Sequence, residues 1–215
     1  MEDIIDDINY TPTITEDELF SAIWKKPRLA FRFIIDNNYS KHVVLLLILS
    51  GISSAFERAS MRDMGDTFSL PAIIGISIAA GGLFGWISTY FYSALISWTG
   101  KWLKGTADTS TILHVLAYAM IPTIISLIFL IPQFATYGVE VYKKDGDLIS
   151  GGLIINIIFW SSLAAELVLG CWTIYLCVIG ISELQQFTIG KAVLNLLLPV
   201  LLIVIPILLI ALLLM

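Results

Sequence analysis

Apolar residues fill four long stretches of this chain almost without interruption. Residues 67–100, 109–139 and 192–215 hold no Asp, Glu, Lys or Arg, and residues 148–182 hold only Glu166. A helix needs about 20 mostly apolar residues to cross roughly 30 Å of hydrocarbon, and each stretch meets that length. They predict spans over about 71–98, 111–134, 151–182 and 191–214. Residues 42–56 are uncharged over a shorter distance. Tyr39, Lys41, Glu57 and Arg58 can extend them to a fifth span over about 39–58, with long side chains reaching the interface. The predicted class is all-α, a polytopic membrane bundle of five transmembrane helices. Pro122 and Pro132 predict kinks in the third span, and Pro199 and Pro206 fall in the fifth.

A different pattern precedes the spans. Residues 1–14 are acidic and contain Pro12, which predicts a flexible tail. They lack the basic start of a cleaved signal peptide, so the N-terminus is expected to be retained. Over residues 15–38, Leu19, Phe20, Ile23 and Trp24 recur at helical spacing beside Lys25, Lys26, Arg28 and Arg32. That mixture predicts an amphipathic element in the membrane interface, with the four cations on lipid headgroups. A cap packed on the bundle ends fits the same pattern. Thr15 and Glu18 have the spacing of a capping box. Residues 39–215 then form a single membrane domain.

Composition agrees with this pattern. The chain is 58% hydrophobic and 13% charged, where a soluble globular domain is about a quarter charged. No basic field suits nucleic acid. Cys171 and Cys177 lie in one apolar run and read as small apolar residues. With the N-terminus inside, eight Lys and Arg fall on the inner side and four on the outer, which predicts a cytoplasmic N-terminus and an outward C-terminus.

Few residues in the spans carry chemistry. In the second span, small residues recur every fourth position at Ser77, Gly81, Gly85, Thr89 and Ser93. Such a ridge lets two helix backbones approach closely in lipid, either within the chain or between two copies. Glu166 is an ionisable group at membrane depth and therefore a candidate site. Asn156 shares its helix, and Asn195 and His114 are possible neighbours. A proton or cation site and a hydrogen-bonded structural carboxyl both fit these residues. There is no H-E-x-x-H, G-x-S-x-G or phosphate loop, so neither catalysis nor a cofactor or metal is expected.

The third span reads Ala117-Tyr118-Ala119-Met120-Ile121-Pro122. With five spans and a short interfacial N-terminal region, this resembles the Yip family of Ypt/Rab-interacting membrane proteins, whose signature is Gly-Tyr-x-x-x-Pro. Tyr118 and Pro122 match it, and Ala117 stands where Gly is usual. Segments Gly100–Gly105 and Gly180–Ala192 are also similar to those of prokaryotic members. The Asp-Leu-Tyr-Gly-Pro type motif and long N-terminal domain of eukaryotic members are absent, which makes a Rab-type GTPase a doubtful partner. For eukaryotic members the resemblance implies vesicle trafficking and membrane shaping through protein partners, without catalysis. The small-residue ridge, the basic segment Lys25–Arg32 and the lack of catalytic motifs lead to a non-enzymatic, bacterial-type inner-membrane protein, a trafficking-type adaptor acting through membrane lipids and another membrane protein or self-association. The alternative is a small transporter or channel component using Glu166.

Overall fold

The computed structural model describes residues 14–213, so the predicted tail falls almost wholly outside the described residues. The described residues contain eight α-helices, two short 3-10 helices and no strand. Helices α1 (Leu19–Lys25) and α2 (Pro27–Asp36) precede the apolar helices. Proline disfavours helical backbone in the residue before it but suits a first helical turn. Accordingly Lys26 leaves the helix at φ −142°, and Pro27 opens α2. Thr15 and Glu18 form half of a capping box. Glu18 accepts from the Thr15 N–H at 3.1 Å, but no Thr15 side-chain bond caps α1, which starts only at Leu19.

The apolar face of α1 and α2 turns into the protein. Leu19, Ile23, Phe31 and Ile34 are at most 1% exposed and share a core with Leu46, Val115, Tyr118 and Leu176. Helix α2 lies against α5 (Thr109–Ala119) and α7 (Leu153–Gln185). These two short helices therefore cap one end of the bundle. Their basic residues Lys25, Lys26, Arg28 and Arg32 remain on the exposed side.

Helix α3 (Val43–Met61) begins later and ends later than the sequence predicts. Its start is delayed by His42, at a left-handed φ of 64°. Glu57 lies inside this helix, so Glu166 is not the only acid within an apolar helix. Helix α4 (Leu70–Trp102) returns across the bundle.

The predicted third span is two helices, α5 and α6 (Ile121–Tyr137), joined at Met120 with φ −82° and ψ 0°. Pro122 sits in the first turn of α6, where its missing N–H leaves no bond unmade. It starts a helix rather than kinking one, whereas Pro132 does lie in the interior of α6. Helices α7 and α8 (Ile189–Leu213) complete the chain. Among the described residues, five segments are long and apolar enough to cross a membrane, with α5, α6 and the following turn counting as one.

The small-residue ridge of α4 is buried within the chain. Ser77, Thr89 and Ser93 are at most 8% exposed, and α3–α4 is the most extensive helix pair. At the crossing, a Cβ added to Gly85 would lie 2.2 Å from the Gly51 Cα, and one on Gly81 would lie 2.6 Å from the Gly51 carbonyl oxygen. The two backbones touch, and only glycine fits on both sides. Helix α6 packs on both α3 and α7, which make no extensive contact with each other. Helix α8 packs on α4 and α7 and buries only Ala192, Asn195 and Pro199.

Gly85→Val is expected to push α3 and α4 apart and cost about 3 kcal/mol or more, the upper end for overpacking. Gly75, with nothing within 4 Å of an added Cβ, supplies the control: Gly75→Val should leave the thermal midpoint in detergent near that of the unsubstituted chain.

Candidate functional site

Polar side chains gather at two places, one at each end of the bundle. The first is built around the turn between α7 and α8. Gln186 ends α7 in a left-handed conformation at φ 53°. The Phe187 N–H donates to the Ser182 carbonyl at 3.0 Å, and the Ser182 hydroxyl donates to the Phe187 carbonyl at 2.7 Å. This closed turn fixes the directions of Glu183 and Gln185.

Glu183 points to α2. Its carboxylate accepts from Arg28 Nη1 on one oxygen and from Arg32 Nε at 2.7 Å on the other. Arg28 and Arg32 are four residues apart and share a helix face. The carboxylate side chain is 5% exposed, and both arginines are about half exposed. An acid in the last turn of a helix meets the negative end of the helix dipole, and two guanidinium groups more than offset that.

Gln185 points the other way, to α4 and α8. Its Nε2 donates to Asn195 Oδ1 at 2.9 Å, and Asn195 Nδ2 donates to the Ile96 carbonyl at 3.1 Å and Thr99 Oγ1 at 2.9 Å. The Gln185 oxygen accepts from the Ala107 N–H at 3.5 Å. A Cβ on Gly105 would lie 1.9 Å from that oxygen, and one on Gly100 would lie 2.4 Å from the nitrogen. The glycines of Gly100–Gly105 thus admit the Gln185 amide.

Tyr118 anchors the same end. Fully buried, it donates its hydroxyl to the Lys41 carbonyl just before α3. Glu16 accepts from Lys41 Nζ and from the Tyr39 hydroxyl at 2.7 Å. Those two bonds hold the Glu16 carboxyl below its ordinary range, while desolvation and then the Glu16 bond push the Tyr39 hydroxyl up to about 12. These bonds tie residues 39 and 41 to the capped end just before α3 begins.

The second place is a cavity of about 300 Å³ between α3, α6 and α7. Glu57 and Glu166 both line it, with Gln133, Tyr142 and Ser60. Gln133 Nε2 donates to Glu166 Oε1 at 2.7 Å. Tyr142 is 1% exposed, and its hydroxyl has no hydrogen-bond partner among the described residues. Leaving such a group unpaired costs about 1–3 kcal/mol. An adjoining pocket of about 150 Å³ shares Ser60, Gln133 and Glu166.

The structure does not bring the four predicted polar residues together. Glu166 lines the cavity, and Asn195 bonds Gln185 at the opposite end. Asn156 donates to the Gly152 carbonyl at 3.1 Å in the first turn of α7. His114 is half-buried on α5 and does not line the cavity. Of the four cations expected on headgroups, Arg28 and Arg32 bond Glu183, whereas Lys25 and Lys26 are exposed. Residue-by-residue reading missed Glu183, Gln185, Glu57, Gln133 and Tyr142. Glu183 did carry a signal, since an acid at a helix C-terminus needs a cation.

Five apolar crossings, capped at one end by two short helices, make this an all-α multi-pass membrane protein. The description of the Yip1 domain fits residues 18–211, nearly the whole chain, and the chain belongs to that family. No curated protein and no solved structure matches it.

Glu183→Gln is expected to cost about 1–3 kcal/mol, below the value for a fully buried pair because both arginines are half exposed. Combining it with Arg28→Gln and Arg32→Gln should cost little beyond the larger single effect, because all three act in one network. Thermal unfolding in detergent across this cycle checks it, and additive losses would separate the residues.

Proposed function

We propose that this Yip-type protein acts without catalysis, through contacts made at its capped end with anionic lipid and with a membrane-protein partner. One observation carries the reading. Lys25, Lys26, Lys101, Lys104 and Lys191 are all exposed at that end and take no part in the ion pairs found among the described residues. Exposed lysines beside a membrane attract anionic headgroups with about 1 kcal/mol each. The apolar faces of α1 and α2 are already buried in the core, so the cations stand on a fixed surface rather than on a loose arm.

The excess of Lys and Arg at this end supports a cytoplasmic placement by the positive-inside rule, and the similarity to prokaryotic members supports a bacterial inner membrane. Arg28 and Arg32 hold Glu183 and contribute their exposed outer edges. A Rab-type GTPase is not part of this proposal, because the eukaryotic Asp-Leu-Tyr-Gly-Pro type motif is missing from the sequence.

The full chain in nanodiscs of mixed phosphatidylglycerol and phosphatidylethanolamine tests the lipid contact. Changing Lys25, Lys26, Lys101 and Lys104 together to Gln should lower retained phosphatidylglycerol per chain by about tenfold or more, read by native mass spectrometry. Unchanged retention would remove the lipid contact. A photo-crosslinker at Lys104 in cells should yield a discrete protein adduct, and one at lipid-facing Ile203 should not. Equal adducts at both positions would remove the partner.

A further inference from the structure

We propose that the cavity between α3, α6 and α7 receives the ammonium headgroup of a membrane lipid, with Glu57 and Glu166 as its counter-charges. It lies at the opposite end of the bundle from the basic surface and stands on separate observations.

Two carboxylates on helices that do not pack extensively on each other border one space. Neither is in an ion pair among the described residues. Arg58 follows Glu57 in sequence but projects about 100° further around the helix. Gln133 occupies one oxygen of Glu166. The second Glu166 oxygen and both oxygens of Glu57 carry no hydrogen bond among the described residues, so the site is rich in unpaired carboxyl oxygens.

Tyr142 supplies independent evidence for a ligand. It lines the same cavity, is 1% exposed, and its hydroxyl is without a partner among the described residues. A bound polar group gives that hydroxyl the hydrogen bond the protein does not. A carboxylate pair with a hydroxyl suits an ammonium, whose three N–H donors need three acceptors. No three His, Cys, Asp or Glu gather as a metal-ligand set among the described residues. The apolar part of the wall, with Phe56 and Leu130, suits the carbon atoms beside an organic ammonium.

The geometry commits the site to a lipid rather than a soluble amine. Glu57 lies four residues from the end of α3 at Met61, about 6 Å along the helix. At 19 residues α3 is just long enough to cross the hydrocarbon, so a crossing α3 puts Glu57 within about one turn of the headgroup boundary. The cavity is walled by α3, α6 and α7, three helices of the membrane crossings, and Met61 at its edge is 80% exposed. A lipid enters with its ammonium between the carboxylates and its acyl chains still in the membrane.

The test uses the full chain in nanodiscs containing equal phosphatidylethanolamine and phosphatidylglycerol. Glu57→Gln and Glu166→Gln should each lower phosphatidylethanolamine retained per chain about tenfold, as expected for losing a charge-assisted hydrogen bond, and leave phosphatidylglycerol unchanged. Tyr142→Phe should lower it less. Retention equal to wild type in both Gln variants overturns the proposal. Saturation by soluble ethylammonium without preference for the lipid overturns the lipid source. A second measurement needs no variant: modification of Glu166 by a hydrophobic carbodiimide should be severalfold slower in phosphatidylethanolamine nanodiscs than in phosphatidylglycerol ones. Equal rates overturn the proposal even if the variants fail to fold.

Discussion

Lipid offers no hydrogen bonds, so every polar group in a membrane bundle must find its partner in the protein. The amide pair of Gln185 and Asn195 shows what that constraint does here. Asn195 has no exposed surface, and its amide is bonded to the end of α4 and to Gln185. Gln185 in turn reaches the segment between α4 and α5 through Ala107. Two residues earlier, Glu183 holds α2 through its arginines. One tight turn therefore sets the positions of α2, α4, α7 and α8. It does so with directional bonds, which fix geometry better than the uniform apolar contacts around them.

The two ends of the molecule differ in polar satisfaction. At the capped end, Glu183, Gln185, Asn195, Thr99, Tyr118 and Glu16 all have protein partners. The outward-facing lysines of this end are left to meet other molecules, and one buried donor there, Trp172 Nε1 beside Trp24, has no partner among the described residues. At the other end, Glu57 is outside any ion pair and Tyr142 has an unpartnered hydroxyl among the described residues. Buried polar groups without partners are rare in folded proteins. That contrast separates a surface that binds by charge from a cleft that binds by chemistry.

Most of the architecture was legible in the sequence because lipid demands long uncharged runs, and these are visible without knowing any contact. The α4 ridge was legible for a similar reason: small residues at every fourth position, with two glycines among them, mark a close approach of helices. Its partner, Gly51, was not legible, because a lone glycine in an apolar helix looks the same whether or not another backbone crosses it. The break at Met120 was misread as a kink at Pro122, since proline fits both a helix start and a helix bend. The cation role assigned to Arg28 and Arg32 overlooked Glu183, which lies 155 residues from Arg28 and becomes its neighbour only when α2 folds under α7. Glu166 was found because charge in an apolar run is conspicuous. Glu57 and Tyr142 were hidden, one beside Arg58 at a helix end and the other in a turn.

Helix α8 is almost uniformly Leu, Ile and Val, and nearly all of it past Pro199 is exposed. A helix of such uniform surface has no pattern by which to define its own depth or rotation, because sliding it one residue along the bundle exchanges one aliphatic contact for another. Asn195 removes that degeneracy. Any other register would strand its amide in hydrocarbon and leave Gln185 and Thr99 without their bonds, so one polar residue among aliphatic ones decides where the last crossing comes to rest.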